Sequence, residues 1–165
     1  MLTVYHGSSV IVDRPDISFS RDRLDFGKGF YVTPLRNQAV HWAMRWKRRQ
    51  QKAIVNIYRF HDEFISELGL NRKVFPVYDQ EWLRFVAANR EGGIVEKYDV
   101  VQGGIANDKV FNTLELFFDK LISEEEALRR LKYERPNHQI CICRQDLIER
   151  LLSFVSAEEV KDGSQ

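Results

Sequence analysis

Polar residues stand at the edges of three predicted strands, and their side chains are of types that bind ligands. "YHGS" places His6 and Gly7 after a first strand, where a ring nitrogen can bond a ligand and the glycine lets it approach the backbone. "FGKGFY" leads into a second strand, whose Tyr31 can stack on a flat ring. "HQICIC" opens a later strand with Gln139, whose amide can bond a ligand or cap the sheet edge. Each segment alone also fits an ordinary structure: a turn, a core tyrosine or a capped strand.

The better-known catalytic motifs do not occur. The four histidines share no ligand spacing, and Cys141 and Cys143 lack a second pair, so no metal is expected. "GKGF" is too short for a phosphate-binding P-loop and lacks its Lys-Ser/Thr ending. No kinase catalytic loop accompanies "DFG", and there is no nucleophile elbow. Any chemistry must therefore come from the residues at the strand edges.

Composition predicts one globular domain over residues 1–165, with a frayed tail from residue 158. Hydrophobic residues make up 44% of the chain and aromatic residues 12%, which argues against disorder. No window is apolar enough for a membrane span, and "MLTVYHGSS" does not resemble a secretory signal. Cys141 and Cys143 are one residue apart on a strand, an awkward geometry for a disulfide. A reducing, cytoplasmic location without membrane contact is expected.

The charge balance does not identify a partner, since the net charge is +1. One local exception is the basic run "RWKRRQQK", Arg45 to Lys52. It fits the solvated end of a helix, where cations favour the negative end of the dipole, or a contact with an acidic partner.

Hydrophobic periodicity supplies the elements that must position these residues. Strands are predicted over Leu2–Tyr5, Phe30–Thr33, Ala53–Phe60, Tyr98–Gln102, His138–Cys143 and Leu152–Val155. Helices are predicted from Leu35 to about Trp46, over Asp79–Arg90, from Asp108 to Leu121 and over Ser123–Leu131, with a helical turn over Asp146–Leu152. The elements do not alternate regularly, so we expect an α+β fold, with largely antiparallel sheets and helices packed outside.

Four segments together resemble a known superfamily. "YHGS", "DFGKGFYVTPLRNQAVHWA", "YDVVQGGIAND" and "NHQICI" are similar to ADP-ribosyltransferases of the branch marked by His, Tyr and a variable third residue. More narrowly they resemble the bacterial family DUF3990, whose members often occur as toxins in toxin–antitoxin modules. The resemblance runs from Tyr5 to about Val155. It implies a split antiparallel β-core with flanking helices, and NAD⁺ as co-substrate without a metal.

The resemblance also implies roles for individual residues. The residues implied to hold NAD⁺ are His6, Gly7, Ser8, Gly27, Gly29 and Tyr31. His6 would bond the adenosine ribose, and Gly7 would give a backbone contact to nicotinamide. Tyr31 would stack on the nicotinamide ring, while Gly27 and Gly29 would leave room for the dinucleotide.

The third position of the pattern departs from the usual carboxylate. Breaking the nicotinamide–ribose bond develops positive charge on the sugar, which a carboxylate would stabilise. The aligned residue is Gln139, which is neutral but can hold ribose hydroxyls. Three explanations stay open: a carboxylate from elsewhere, Asp108 first and Glu115 or Glu149 second; Gln139 alone, with a nucleophilic acceptor or one supplied with its own base; or a fold that only binds. Asp108 fits a helix cap equally well.

The leading hypothesis is an NAD⁺-dependent ADP-ribosyltransferase of toxin type, with an antitoxin partner and a macromolecular acceptor that is RNA, DNA or protein. The first rival is a non-catalytic module that binds a nucleotide or a protein on the same fold. The second is a nucleic-acid-binding domain centred on the basic run, which would show steeply salt-dependent binding without NAD⁺.

Overall fold

Residues 1–93 and 96–161 are described by the structure, a computed structural model. The strands are β1 (Leu2–Ser8), β2 (Phe30–Val32), β3 (Ile54–Phe60), β4 (Arg72–Phe75), β5 (Val100–Gly103), β6 (Gln139–Ile142) and β7 (Leu152–Glu159). The helices are α1 (Arg36–Lys47), α2 (Glu63–Glu67), α3 (Gln80–Glu91), α4 (Asp108–Phe118), α5 (Glu124–Leu131) and α6 (Ile148–Leu151).

The strands form two sheets, which are linked by one backbone bridge among the described residues. The first sheet has the order β1-β3-β7 and is antiparallel. The second has the order β2-β6-β5-β4, and only its β4–β5 pair is parallel. A single bridge between Tyr5 and Thr33 connects β1 of the first sheet to the end of β2 in the second. The predicted α+β class with largely antiparallel sheets is confirmed.

Hydrophobic packing divides the molecule into layers. One core lies between the two sheets and includes Val4 and Tyr58 from the first sheet and Val32 and Ile140 from the second. A second core lies between the other face of the second sheet and helices α3, α4 and α5. A smaller cluster joins α1 to the outer face of the first sheet, through Ala39, Ala43, Val55 and others. The order of layers is therefore α1, first sheet, second sheet, and then α3 to α5.

Local signals predict most helix starts correctly. Asp79 caps α3 by accepting from the Trp82 N–H at 2.9 Å, and Ser123 caps α5 by accepting from the Glu126 N–H at 3.1 Å. Helix α4 ends earlier than expected, so Leu121 lies beyond it and is exposed.

The spacing of Leu35, Ala39, Trp42, Ala43 and Trp46 predicts one apolar face for α1, with both tryptophans in the core, and the structure differs from this prediction. Only Ala39 and Ala43 are fully buried, whereas Leu35 is exposed and Trp42 and Trp46 are half-buried on the helix flank. The two tryptophans are therefore not core residues, because the small alanines make the close contact with the sheet.

The chain end is more ordered than expected up to Val160. Glu158 and Glu159 belong to β7 and pair with β3, and the Val160 N–H donates to the Ala53 carbonyl at 2.8 Å. The predicted fraying from residue 158 is therefore wrong at Glu158–Val160, and residues 162–165 lie outside the described residues.

None of the described helices has the length and apolar character that a membrane crossing requires.

Candidate functional site

The bridge between the two sheets brings the first and second candidate segments together. The Tyr5 N–H donates to the Thr33 carbonyl at 2.8 Å, and the Thr33 N–H donates to the Tyr5 carbonyl at 2.9 Å. Pro34 follows and has no N–H, so the pairing stops there and the chain turns into α1. The bridge leaves His6 of β1 beside Tyr31 of β2.

His6 lies inside β1 rather than after it, because the strand continues to Ser8. Its Nδ1 is 2.8 Å from the Tyr31 carbonyl oxygen, and its ring packs on Phe30 with centroids 4.6 Å apart. A carbonyl only accepts, so Nδ1 carries the proton and the neutral ring keeps Nε2 as an acceptor. Burial lowers the pKa of His6, although the Tyr31 carbonyl opposes the effect. His6 is thus held neutral, in one tautomer.

Tyr31 is held by its own loop. Its hydroxyl donates to the Gly27 carbonyl at 2.5 Å and accepts from the Phe26 N–H at 3.1 Å. Its ring stacks on Phe26, with centroids 6.3 Å apart and planes 16° apart. Burial, more than any other cause, raises the pKa of Tyr31 well above its ordinary value. The phenol therefore stays protonated, and the ring is fixed before any ligand binds.

Packing and backbone conformation require glycine at the candidate positions even without a ligand. A Cβ on Gly7 would meet the Ala39 carbonyl and lie 2.7 Å from the Ala43 nitrogen, so Gly7 lets α1 pack on β1. A Cβ on Gly29 would meet Cys141 Sγ and lie 2.7 Å from the Ile142 carbonyl. Gly27 has φ +80°, which favours glycine. The space expected for a ligand at Gly7 and Gly29 is filled by protein on these sides.

Gln139 is the buried polar residue that the fold leaves unsatisfied. It opens β6 opposite Gly103 of β5, and the β2 register places Thr33 on its other side. Its side chain is 2% exposed, and its Oε1 has no hydrogen-bond partner. A buried carbonyl oxygen without a donor is unfavourable, so Oε1 would gain from a hydroxyl or N–H donor, but Gln139 lines neither of the two cavities described below.

Gln38 is a second unsatisfied amide that the sequence did not single out. Its Nε2 is buried without a partner. The Thr33 hydroxyl lies 2.6 Å from the His138 carbonyl and 3.2 Å from Gln38 Oε1, but it has only one proton to donate. The closer His138 carbonyl takes that proton; if the amide is flipped, Nε2 can donate to the Thr33 oxygen but Oε1 is then left without a donor, so one amide atom of Gln38 is unpartnered in either orientation.

Gln38 lines an open groove at the start of α1. The groove has a volume of about 540 Å³ and is formed by Pro34, Leu35, Arg36, Asn37, Gln38 and Asn137. Because its lining includes Pro34, which follows Thr33, and Asn137, two residues before Gln139, the groove lies next to the end of β2 and the start of β6. A ligand in it would meet several amide groups.

The candidate carboxylates do not join His6, Tyr31 and Gln139. Asn107 caps α4 by accepting from the Val110 N–H at 3.0 Å, so Asp108 is not the cap and is exposed in the first turn. Glu115 is exposed further along α4. Glu149 lies in a separate cavity of about 400 Å³ between the loop at residues 13–16 and β7. Ser8 accepts only a long bond of 3.4 Å from the Val10 N–H.

Asp25 is the carboxylate that sequence reasoning missed. It is 7% exposed, pairs with Arg90 at 2.5 Å and accepts from the Ala106 N–H at 3.0 Å. It therefore ties the loop before β2 to α3 and to the segment before α4. Its place in "DFGKGFY" was visible in the sequence, but its partners are 65 and 81 residues away.

The two cysteines are free thiols: Cys141 lies in β6, and Cys143 directly follows that strand. Their sulfurs are 3.7 Å apart. Burial raises the pKa of Cys141, whereas the hydrogen bond with Cys141 lowers the pKa of Cys143. Over residues 1–93 and 96–161, no group of three His, Cys, Asp or Glu side chains is arranged to hold a metal ion.

Tyr31 and Gln139 share the face of the second sheet that packs on helices α3 to α5, whereas the His6 ring packs on Phe30 on the side of the first sheet. The carboxylate near Tyr31 is Asp25, which contributes to the raised pKa of Tyr31 but is paired with Arg90, whereas the predicted Asp108, Glu115 and Glu149 lie elsewhere. A family model described as "Protein of unknown function (DUF3990)" matches residues 2–154. No curated protein and no solved structure matches the chain.

Proposed function

The chain belongs to the DUF3990 family of proteins of unknown function, and on that premise we propose that it is an NAD⁺-dependent ADP-ribosyltransferase. The proposal includes the finer fold assignment, an ADP-ribosyltransferase-like split β-core. It also includes a role as the toxin of a bacterial toxin–antitoxin or defence module, acting in the cytoplasm on a macromolecular acceptor.

The observation that carries the proposal is the unsatisfied oxygen of Gln139 on the strand next to Tyr31. Tyr31 pairs with Cys141 on β6, two residues from Gln139, so their side chains share one face of the second sheet. The buried amide fits a ligand rich in hydroxyl groups, such as the ribose of a dinucleotide. His6 adds an imidazole acceptor at the bridge between the sheets.

Each of the three residues has a distinct part in the proposal. Tyr31 stacks on the nicotinamide ring, His6 Nε2 accepts from a ribose hydroxyl, and Gln139 Oε1 accepts from another. NAD⁺ supplies an ADP-ribosyl group whose bond to nicotinamide breaks as positive charge develops on the sugar. Gln139 orients the sugar but does not remove a proton, so the acceptor must be nucleophilic in its own right.

The test measures nicotinamide release from NAD⁺ together with stability. His6→Ala and Tyr31→Ala should abolish release. Gln139→Met should also lose release, yet it should unfold at an equal or higher temperature, because it removes a buried oxygen that costs about 1 to 3 kcal/mol when unpaired. Loss of activity without loss of stability is the result that a purely structural glutamine would not give.

The matched control is Tyr133→Ala, since this side chain is exposed and lies outside the candidate site. It should release nicotinamide at the wild-type rate. Unchanged turnover in both His6→Ala and Tyr31→Ala would contradict the site, and destabilisation by Gln139→Met would show that its oxygen is needed by the fold.

A second candidate is a non-catalytic module that binds NAD⁺, another nucleotide or a protein. The neutral Gln139 and the exposed positions of Asp108 and Glu115 favour it. Stabilisation by NAD⁺ in a thermal shift, without nicotinamide release at any acceptor concentration, would favour this binding module over the enzyme.

A further inference from the structure

Charge is distributed unevenly along this nearly neutral chain. Residues 26–61 hold eight Lys or Arg and no Asp or Glu, whereas the remaining residues hold 17 Lys or Arg and 24 Asp or Glu. The basic segment contains α1 and the strands that precede and follow it in sequence, β2 and β3. A net charge of +1 therefore conceals a positively charged surface on one side of the fold.

The exposed side of α1 forms a continuous stripe. Asn37, His41, Arg45 and Arg48 are spaced by four, four and three residues, so they lie on one helix face, and all four are exposed. Ala39 and Ala43 occupy the opposite, buried face. The stripe is about 17 Å long, at 1.5 Å per residue. It begins at the groove, which Asn37 lines, and ends at the arginines.

The arginines at the end of the stripe are not neutralised by the described part of the chain. Arg36 pairs with Glu158, and Lys52 lies 3.7 Å from Glu159. By contrast, Arg45, Arg48 and Arg49 form no ion pair within residues 1–93 and 96–161. The negative end of the helix dipole accounts for cations there, but not for the absence of carboxylates along the whole segment.

Aromatic rings flank the same stripe. Trp42 and Trp46 are one helical turn apart and half-buried, between the buried alanines and the exposed arginines. The Arg49 guanidinium lies 5.6 Å from the Trp46 ring centroid. Aromatic rings beside arginines suit a single strand of nucleic acid, because unpaired bases stack on rings while the arginines contact phosphates.

We propose that α1 binds a single strand of nucleic acid, along the stripe from the three arginines to the groove. Asn37, Gln38 and Asn137 give the groove amide groups that can bond the edge of one unpaired base. A base inside a duplex could not enter it. This inference rests on the proposed function in one respect: the bound strand is then the acceptor of ADP-ribose.

The experiment measures binding of fluorescein-labelled 12-nucleotide RNA and DNA, single-stranded and duplex, by fluorescence polarisation without NAD⁺. Neutralising three phosphates gives a salt slope of about −2 for single strands, hence about 20-fold weaker binding at 200 mM than at 50 mM salt. The triple variant Arg45→Gln/Arg48→Gln/Arg49→Gln should lose about two units of slope. Trp46→Ala should weaken single-strand binding about fivefold or more.

The control is Lys120→Gln/Lys132→Gln/Arg150→Gln, which removes the same charge from exposed residues elsewhere and should bind like the wild type. An equal loss in both triple variants, or duplex binding tighter than single-strand binding, would overturn the proposal. So would equal binding of polyglutamate, which would indicate an acidic protein partner. Single-strand binding without nicotinamide release would refute only the enzyme, and release without such binding would refute only this surface.

Discussion

At the scale of single residues, His6 and Gln139 keep hydrogen-bonding capacity that the folded chain does not use. His6 bonds the Tyr31 carbonyl through Nδ1, while Nε2 has no partner among the described residues. Gln139 is 2% exposed with an unpartnered Oε1. The buried Gln139 oxygen therefore lowers stability relative to a satisfied or apolar side chain, whereas His6 is only half-buried.

The lowered pKa of His6 predicts how stability changes with pH. The unfolded histidine takes up a proton near pH 6.5, whereas the folded one resists until a lower pH. Between the two pKa values the unfolded state binds more protons, so stability falls as the pH drops below about 6.5. His6→Asn should flatten this fall between pH 7.5 and 5, measured as the free energy of unfolding in urea at each pH.

Some slope should persist in His6→Asn, because the pKa of His138 is also lowered, by burial and by Arg72. His41→Asn, at an exposed histidine, is the control and should leave the profile unchanged. A His6→Asn profile that matches the wild type would mean that His6 gains its proton equally in both states.

At the scale of elements, the position of α1 depends on one glycine in β1. Gly7 faces the helix so closely that a Cβ would meet the Ala39 carbonyl and the Ala43 nitrogen. These atoms are backbone and cannot rotate away. The same close approach fixes the groove and the stripe, because both are built on α1.

Gly7→Ala should therefore destabilise the fold by about 3 kcal/mol, the upper part of the range for overpacking. For a domain of this size that is a fall in Tm of about 6 to 12 °C, measured by circular dichroism. Gly93→Ala is the matched control, since its nearest contact, the Ala88 carbonyl, would be 3.4 Å from the new Cβ. Equal stability of Gly7→Ala and the wild type would show that α1 can move away without cost.

Elements with local signals were predictable, and those set by distant contacts were not. The caps Asp79 and Ser123 act within three residues, so α3 and α5 could be predicted from sequence. Strand β4 was not predicted, because "RKVF" is short and charged and is a strand only through its parallel pairing with β5. The end of β1 was missed because "HGS" is typical of a turn, whereas pairing with β3 extends the strand.

In the candidate site, too, residues with local sequence signals were predictable and residues defined by distant contacts were not. The sequence indicates His6, Tyr31 and Gln139 through flanking glycines and strand edges. It gives no signal for Gln38 or for the Asp25–Arg90 pair, because their importance depends on which atoms find partners after folding. A glycine is also ambiguous in sequence, since ligand space and helix packing both require it.

At the scale of the whole molecule, the second sheet separates two cores and belongs to both. Ile140 of β6 faces the first sheet, and its neighbour Cys141 faces helices α3 to α5. Gln139 lies at the start of the same strand. The site therefore depends on both cores, and its geometry should be lost when either core unfolds.

This shared sheet predicts a single unfolding transition. Ile140→Ala in the first core and Leu114→Ala in the second should each cost about 2 to 5 kcal/mol, since both side chains are fully buried. Each variant should lower the temperature of the whole transition, because neither core keeps its sheet without the other. Scanning calorimetry is the measurement: the calorimetric and van't Hoff enthalpies should agree, near 115 kcal/mol at about 0.7 kcal/mol per residue. Two peaks, with Leu114→Ala shifting only one, would mean that the helical core unfolds by itself. In that case the face of the second sheet that carries Tyr31 and Gln139 would become exposed while the first sheet, which carries His6, stays folded.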